Sequence, residues 1–164
     1  MAKLIGSDDL HSSTCLTMNK QGDILLGGFF RGTISLDDYK FTSKPEKDCN
    51  QNQSFFTVLN SLSGDVLFAS TSESELFYPF EMKTAPNGSV WIVGAKIETN
   101  GKYYLSVIEV DEWGVKKRER NYRKPASPFN FGFFPRVDVN KNYIVLADVV
   151  SSTIDTLKYC FSYG

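Results

Sequence analysis

The feature that most constrains this chain is how often it is told to turn. Lys20-Gln21-Gly22-Asp23, Leu62-Ser63-Gly64-Asp65, Pro86-Asn87-Gly88-Ser89, Asn100-Gly101, Glu112-Trp113-Gly114 and Asn140-Lys141-Asn142 all carry tight-turn chemistry. Between them lie short runs rich in β-branched and aromatic residues. No stretch of about ten residues holds a clean helical period. The best candidate, Glu73 to Lys83, has Pro79 in its middle, which removes a helix donor and clashes with the preceding turn. Lys116 to Lys124 has good helix formers but no apolar face. We therefore expect an all-β chain, with strands near 14–19, 23–29, 54–60, 65–70, 80–85, 89–96, 103–110, 115–122, 134–139, 142–149 and 155–162. The continuous apolar runs Ile24-Leu25-Leu26 and Trp91-Ile92-Val93 belong in central strands, covered on both faces.

At 164 residues the chain is expected to form one all-β domain, 1–164. Its 41 % hydrophobic and 23 % charged residues exclude wholesale disorder. A net charge of −1 carries no basic surplus for a dedicated nucleic-acid binder or a polybasic membrane anchor. The start, Met-Ala-Lys-Leu-Ile-Gly-Ser, has no apolar core of the roughly 7–15 residues that a signal peptide needs. No apolar run approaches the roughly 18 residues of a membrane helix. Cys15, Cys49 and Cys160 are odd in number and widely spaced, which fits neither a disulfide framework nor a zinc site.

The strands repeat. Gly22-Asp23-Ile24-Leu25-Leu26-Gly27-Gly28 aligns with Gly88-Ser89-Val90-Trp91-Ile92-Val93-Gly94 at a spacing of 66, and more weakly with Lys141 to Ala147 at a further 53. Phe56 to Asn60 followed by Gly64-Asp65-Val66 aligns with Ser106 to Val110 followed by Gly114-Val115-Lys116, at a spacing of 50. Each unit reads as a four-stranded meander, and the units run roughly 14–70, 80–122 and 134–164. Unit 1 carries an insertion, Asp37 to Gln53, whose Asp, Lys, Asn and Gln content predicts an exposed loop.

These units resemble the repeat of the bacterial seven-bladed β-propellers: a turn and "G-N-I-Y-V-x-G", then "F-x-G-T-x-x-F", then "F-V-x-K-x-D-x-x-G". Gly22 to Gly28, Phe30-Arg31-Gly32-Thr33-Ile34-Ser35-Leu36 and Phe56 to Gly64 carry the likeness in unit 1. Gly88 to Gly94 and Leu105 to Gly114 carry it in unit 2, which lacks the middle stretch, and unit 3 keeps only the hydrophobic run. The resemblance implies propeller-like antiparallel four-stranded blades, with a β-sandwich as the alternative fold, and brings no catalytic residue with it. Propellers usually close with about 4–8 blades. The three units read here fall short of that, so the chain either associates with copies of itself or belongs to a larger propeller; the favoured expectation is that Ala2 to Ile5 and Leu157 to Phe161 pair between copies.

Candidate sites are few. His11, the single histidine, sits among Asp8, Asp9, Ser12 and Ser13, where a polar turn is the simpler reading than a catalytic triad. Asp138 to Asn142 begins like a calcium loop, but Tyr143 and Val149 stand where glycine and glutamate are required. Phe129, Phe131, Phe133 and Phe134 crowd into six residues, more than one strand face can bury, and mark an interface candidate. Lys116, Lys117, Arg118, Arg120, Arg123 and Lys124 form an anion-patch candidate, with a charged edge strand as the alternative. The carboxylates of Asp37-Asp38, Glu73, Glu75 and Asp111-Glu112 fall in loops or turns.

The function expected from these observations is a non-enzymatic binding or assembly module. The alternatives are a structural subunit of a larger phage or cell-surface particle and a hydrolase using loop carboxylates. No catalytic residue, cofactor or metal is expected. The expected partner is a protein or a second copy of the chain, with a glycan as a further candidate, and neither a membrane nor nucleic acid.

Overall fold

In a computed structural model of the chain, the described residues are 6–7, 9, 11–43, 53–72, 76–98, 102–123, 136–139, 143–147 and 159–162. They form fourteen strands and no helix. The fold is all-β, with propeller-like antiparallel four-stranded blades.

The first blade contains β2 (His11–Met18), β3 (Ile24–Phe30), β6 (Gln53–Leu59) and β7 (Val66–Thr71), in that spatial order. The second is an uninterrupted meander of β8 (Leu76–Thr84), β9 (Val90–Ile97), β10 (Tyr103–Val110) and β11 (Lys116–Arg123). A third sheet orders β12 (Arg136–Val139), β13 (Tyr143–Ala147) and β14 (Tyr159–Ser162). A small sheet pairs β1 (Gly6–Ser7) with β4 (Thr33–Leu36) and β4 with β5 (Tyr39–Thr42).

Three apolar clusters join these sheets in series, rather than as the two facing layers of a sandwich. Phe30, Ile34, Leu36, Phe55 and Ala69 bind the small sheet to the first blade. Leu25, Val58, Phe77, Met82, Val90, Ile92 and Val110 lie between the two blades. Ala85, Trp91, Val93, Leu105, Val107 and Val137 join the second blade to β12. The leading strands β2, β8 and β12 pack in succession, and Thr17 and Thr84 share a hydroxyl hydrogen bond of 3.2 Å across the first of these contacts. The apolar runs occupy the central strands as expected: β9 is buried along nearly its whole length, and Leu25 is buried in β3, with Ile24 and Leu26 half-buried.

The repeat is exact in hydrogen bonding at its first turn. Gly22 N donates to Asn19 O and Asn19 N to Asp23 O; 66 residues on, Gly88 N donates to Ala85 O and Ala85 N to Ser89 O. Both leading strands also bulge at equivalent points, between Ser13 and Cys15 and between Pro79 and Glu81. The bulge explains why Pro79 does not end its strand: proline is tolerated where the ladder is already irregular. Strand β8 accordingly begins at Leu76, earlier than the expected 80.

Two expectations need correction. Ile24 pairs with Leu59 and Val90 with Val110, so the third strands correspond at a spacing of 51, not 50. The turn from Asn60 to Gly64 is one residue longer than that from Asp111 to Gly114, and the spacing of 50 holds only beyond it. The slip matters because one residue exchanges the two faces of a strand. The insertion from Asp37 is likewise more than a loop. Tyr39–Thr42 form β5, because Tyr39 and Phe41 alternate inward, stack at 6.2 Å and pack against the cluster around Phe30. Asp37, at φ 51°, turns this hairpin and accepts a hydrogen bond from Val66 N at 2.9 Å. Residues 44–52 lie outside the described residues.

The proposed joining of the ends falls partly outside them too, at residues 2–5 and 157–158. The next residues of the N-terminal segment, Gly6–Ser7, pair with Ser35 and Ile34 of β4, and β14 pairs with β13.

Candidate functional site: the cleft between the blades

The two blades meet closely at β2 and β8, and between their outer parts lies a cleft of about 400 Å³. Its floor is apolar: Phe55, Phe56, Phe77, Met82, Ile92 and Ile108. The arrangement follows from strand alternation. Ile92 of β9 is paired with Ile108 of β10, so both face the first blade; Phe56 of β6, paired with Gly27, faces back at them. Gly27 makes room for Met82. A Cβ there would meet the Met82 methyl and lie 3.1 Å from Cys15 Sγ. At one end the turn between β10 and β11 rests on the first blade, where Gly114, at φ 84°, leaves no space between its backbone and the Phe56 and Phe68 rings.

The lips are polar and unlike each other. One is formed by Ser54, Ser70, Thr71 and Ser72. Ser72 Oγ accepts a bond from Ser54 N at 3.2 Å, and Gln53 Nε2 donates to Ser72 O at 3.2 Å. The other is ionic. Glu119 of β11 accepts from Lys96 Nζ at 2.7 Å through Oε1 and from Lys116 Nζ at 3.0 Å through Oε2. Ser106 Oγ also lies 3.4 Å from Glu119 Oε1. Lys96 is buried in the middle of the sheet and needs such a partner. Burial works to raise the Glu119 carboxyl, but the hydrogen bonds and charges of the two lysines overcome it and hold it at about 2.

The basic run is thus divided by the pleat of an outer strand. Lys116 and Glu119 turn toward the cleft. Arg118 turns to the opposite face, where its Nε donates to the buried Glu109 and its guanidinium lies 5.0 Å from the centre of the Trp91 ring. Lys117 and Arg120 are exposed. Arg123 ends β11, and Lys124 lies outside the described residues, as do Phe129, Phe131, Phe133 and Phe134. His11 begins β2, and Asp138 lies on β12.

The described loop carboxylates do not meet in a common site. Asp37 caps the start of β7. Asp111 Oδ1 accepts from Trp113 N at 3.0 Å and Val115 N at 2.9 Å, and Glu112 accepts from Gln21 Nε2 at 2.9 Å. Glu73 and Glu75 lie outside the described residues. Among the described residues no group of three or more His, Cys, Asp or Glu side chains could hold a metal ion.

Sequence reasoning missed Lys96, Ser54, Ser70 and the apolar floor as parts of one site. Lys96 alone carried a signal, a single charge inside the apolar run Val90–Ile97. The serines of β7 carried none.

No protein-family model matches the chain, and no curated protein matches it. Among solved structures, it is similar to a catalytically inactive virginiamycin B lyase from Staphylococcus aureus crystallised with quinupristin. The identity is 11 % over 98 % of this chain and 73 % of that one, with a TM-score of 0.28, a likeness too slight to bear on activity.

Proposed function

We infer that the chain is a non-enzymatic binding module built from propeller-like blades, and that its binding site is the cleft between the two blades. The observation that carries this reading is the cleft itself. Its volume of about 400 Å³ is within the range of small-molecule sites, and it combines an apolar floor with a few polar groups at its lips. The roles of Asp37, Asp111 and Glu112 as turn caps and cross-links favour binding over hydrolysis by loop carboxylates.

A titration with small neutral aromatic fragments, followed through backbone amide shifts, tests the reading. The affected amides should cluster at Ser70–Ser72 and Ile108–Lys116. Ser70→Trp, which places an indole in the cleft, should abolish the response while preserving the strand spectrum. Shifts centred elsewhere, or binding that survives the indole, would overturn it.

A second reading, a subunit of a larger assembly, is favoured by Leu62, exposed at 92 % in its hairpin turn, and by Trp113 at 50 % in the matching turn of the next blade. Sedimentation of the full chain would separate the two, since a monomer at high concentration counts against assembly.

A further inference from the structure

Ser54 is a buried polar residue of the cleft lining, only 7 % exposed. Its backbone is engaged with Ser72: Ser54 N donates to Ser72 Oγ at 3.2 Å, and Ser54 O accepts from Ser72 N at 3.1 Å. Its own hydroxyl has no hydrogen-bond partner among the described residues, and neither has that of the half-buried Ser70 on the same lip. The pleat sets both on the face toward the second blade. Ser54 pairs with Phe29 of β3, whose ring meets Tyr78 of β8 at 5.4 Å, and Ser70 pairs with Phe56 of the floor. Phe55 is paired with Thr71, so Ser54 and Ser70 are diagonal neighbours across the β6–β7 ladder, about 7 Å apart. A hydroxyl shielded from water without a partner costs stability, and a native structure satisfies such a group from outside the chain when the chain does not.

We propose that the ligand of this cleft is a flat apolar molecule carrying two hydroxyl or carbonyl oxygens along one edge, which Ser54 and Ser70 bind while its body lies on Phe56, Ile92 and Ile108. This rests on the cleft being the binding site and adds the chemical class of its occupant. A serine hydroxyl rotates to donate or to accept, so it serves either oxygen. A wholly apolar ligand would seal both hydroxyls away unpaired. A ligand polar on both edges would set an oxygen against the isoleucines.

Isothermal titration of the full chain with naphthalene-2,7-diol and naphthalene-2,6-diol tests this. The two share one apolar body and the same groups, but only the 2,7 isomer has both oxygens on one edge. It should bind about fivefold more tightly, the usual scale of one hydrogen bond between neutral groups. Ser54→Ala and Ser70→Ala should each bring the isomers to equal affinity, because either isomer then makes one bond. Ser54→Ala should also hold or raise the melting temperature, since it removes an unpartnered hydroxyl. A marked fall would show that the hydroxyl serves the fold and would overturn its role. Equal affinity in the parent, with both isomers lost in Ser70→Trp, would overturn the two-oxygen edge and keep the cleft as the site. A 2,7 preference that survives both alanine variants would overturn the role of the serines. Binding of neither isomer, or binding that survives Ser70→Trp, would overturn the cleft reading and this inference with it.

Discussion

Gly94 of β9 lies against the backbone of Tyr78 so closely that no side chain fits between them. A Cβ on Gly94 would fall inside the contact distance of the Tyr78 carbonyl oxygen and 2.6 Å from the Phe77 ring. Gly28, 66 residues earlier, meets the Ser12 carbonyl and the Phe55 ring in the same way, at 2.7 Å from the ring. Each glycine sits beside the bulge of its leading strand, where the extra residue pushes a carbonyl toward the neighbour. The repeated glycine thus records a repeated close approach of backbone.

Gly94→Ala should accordingly lower stability by about 1–3 kcal/mol, the usual cost of overpacking. Gly28→Ala should do the same, and a denaturant titration of each variant measures it. A control is Gly22→Ala, where nothing lies within 4 Å and only the φ of 87° is at issue.

Stability should fall in acid through Glu119. Its folded value of about 2 lies below the ordinary 4.5, so the contribution is present above about pH 4.5 and is lost as the pH falls toward 2. Glu119→Gln should be less stable than the parent at pH 7, and the difference should shrink to near nothing at pH 2. Thermal melts across that range read it directly.

Cys15 should be inert. Burial, opposed by a hydrogen bond from Thr14, pushes its thiol up to about 12, so almost no thiolate exists at pH 8. In a Cys49→Ser, Cys160→Ser background the folded protein should react with a disulfide reagent far more slowly than the unfolded one. Denaturant should release the full thiol.

Glu81 should fasten the third sheet to the second blade. Its Oε2 accepts from Val137 N at 2.7 Å, a backbone group at the start of β12. Glu81→Ala leaves that donor unpaired, at a cost of about 1–3 kcal/mol if it stays buried. Hydrogen exchange at the Val137 amide should speed up markedly, while exchange within β9 and β10 should change little.

The strands and most of their order are legible in the residues alone. Gly22, Gly64, Gly88 and Gly114, each at positive φ, close four of the six turns that the turn chemistry marked, because the local backbone demands glycine there. The repeat is legible too, since equivalent turns and equivalent glycines need the same residues in the same places. Which faces meet is set by packing between the sheets. Tyr39 and Phe41 become a strand because they find the Phe30 cluster, which no local pattern announces. The register of β6 on β3, with Ile24 opposite Leu59, decides which side chains of β6 face the second blade. The cleft exists because Phe56, Ile92 and Ile108, from three separated strands, are set facing one another, while Lys96 and Glu119 are joined across 23 residues of chain. Turns are local and can be read residue by residue, but a site between two sheets depends on register and packing that span the whole chain.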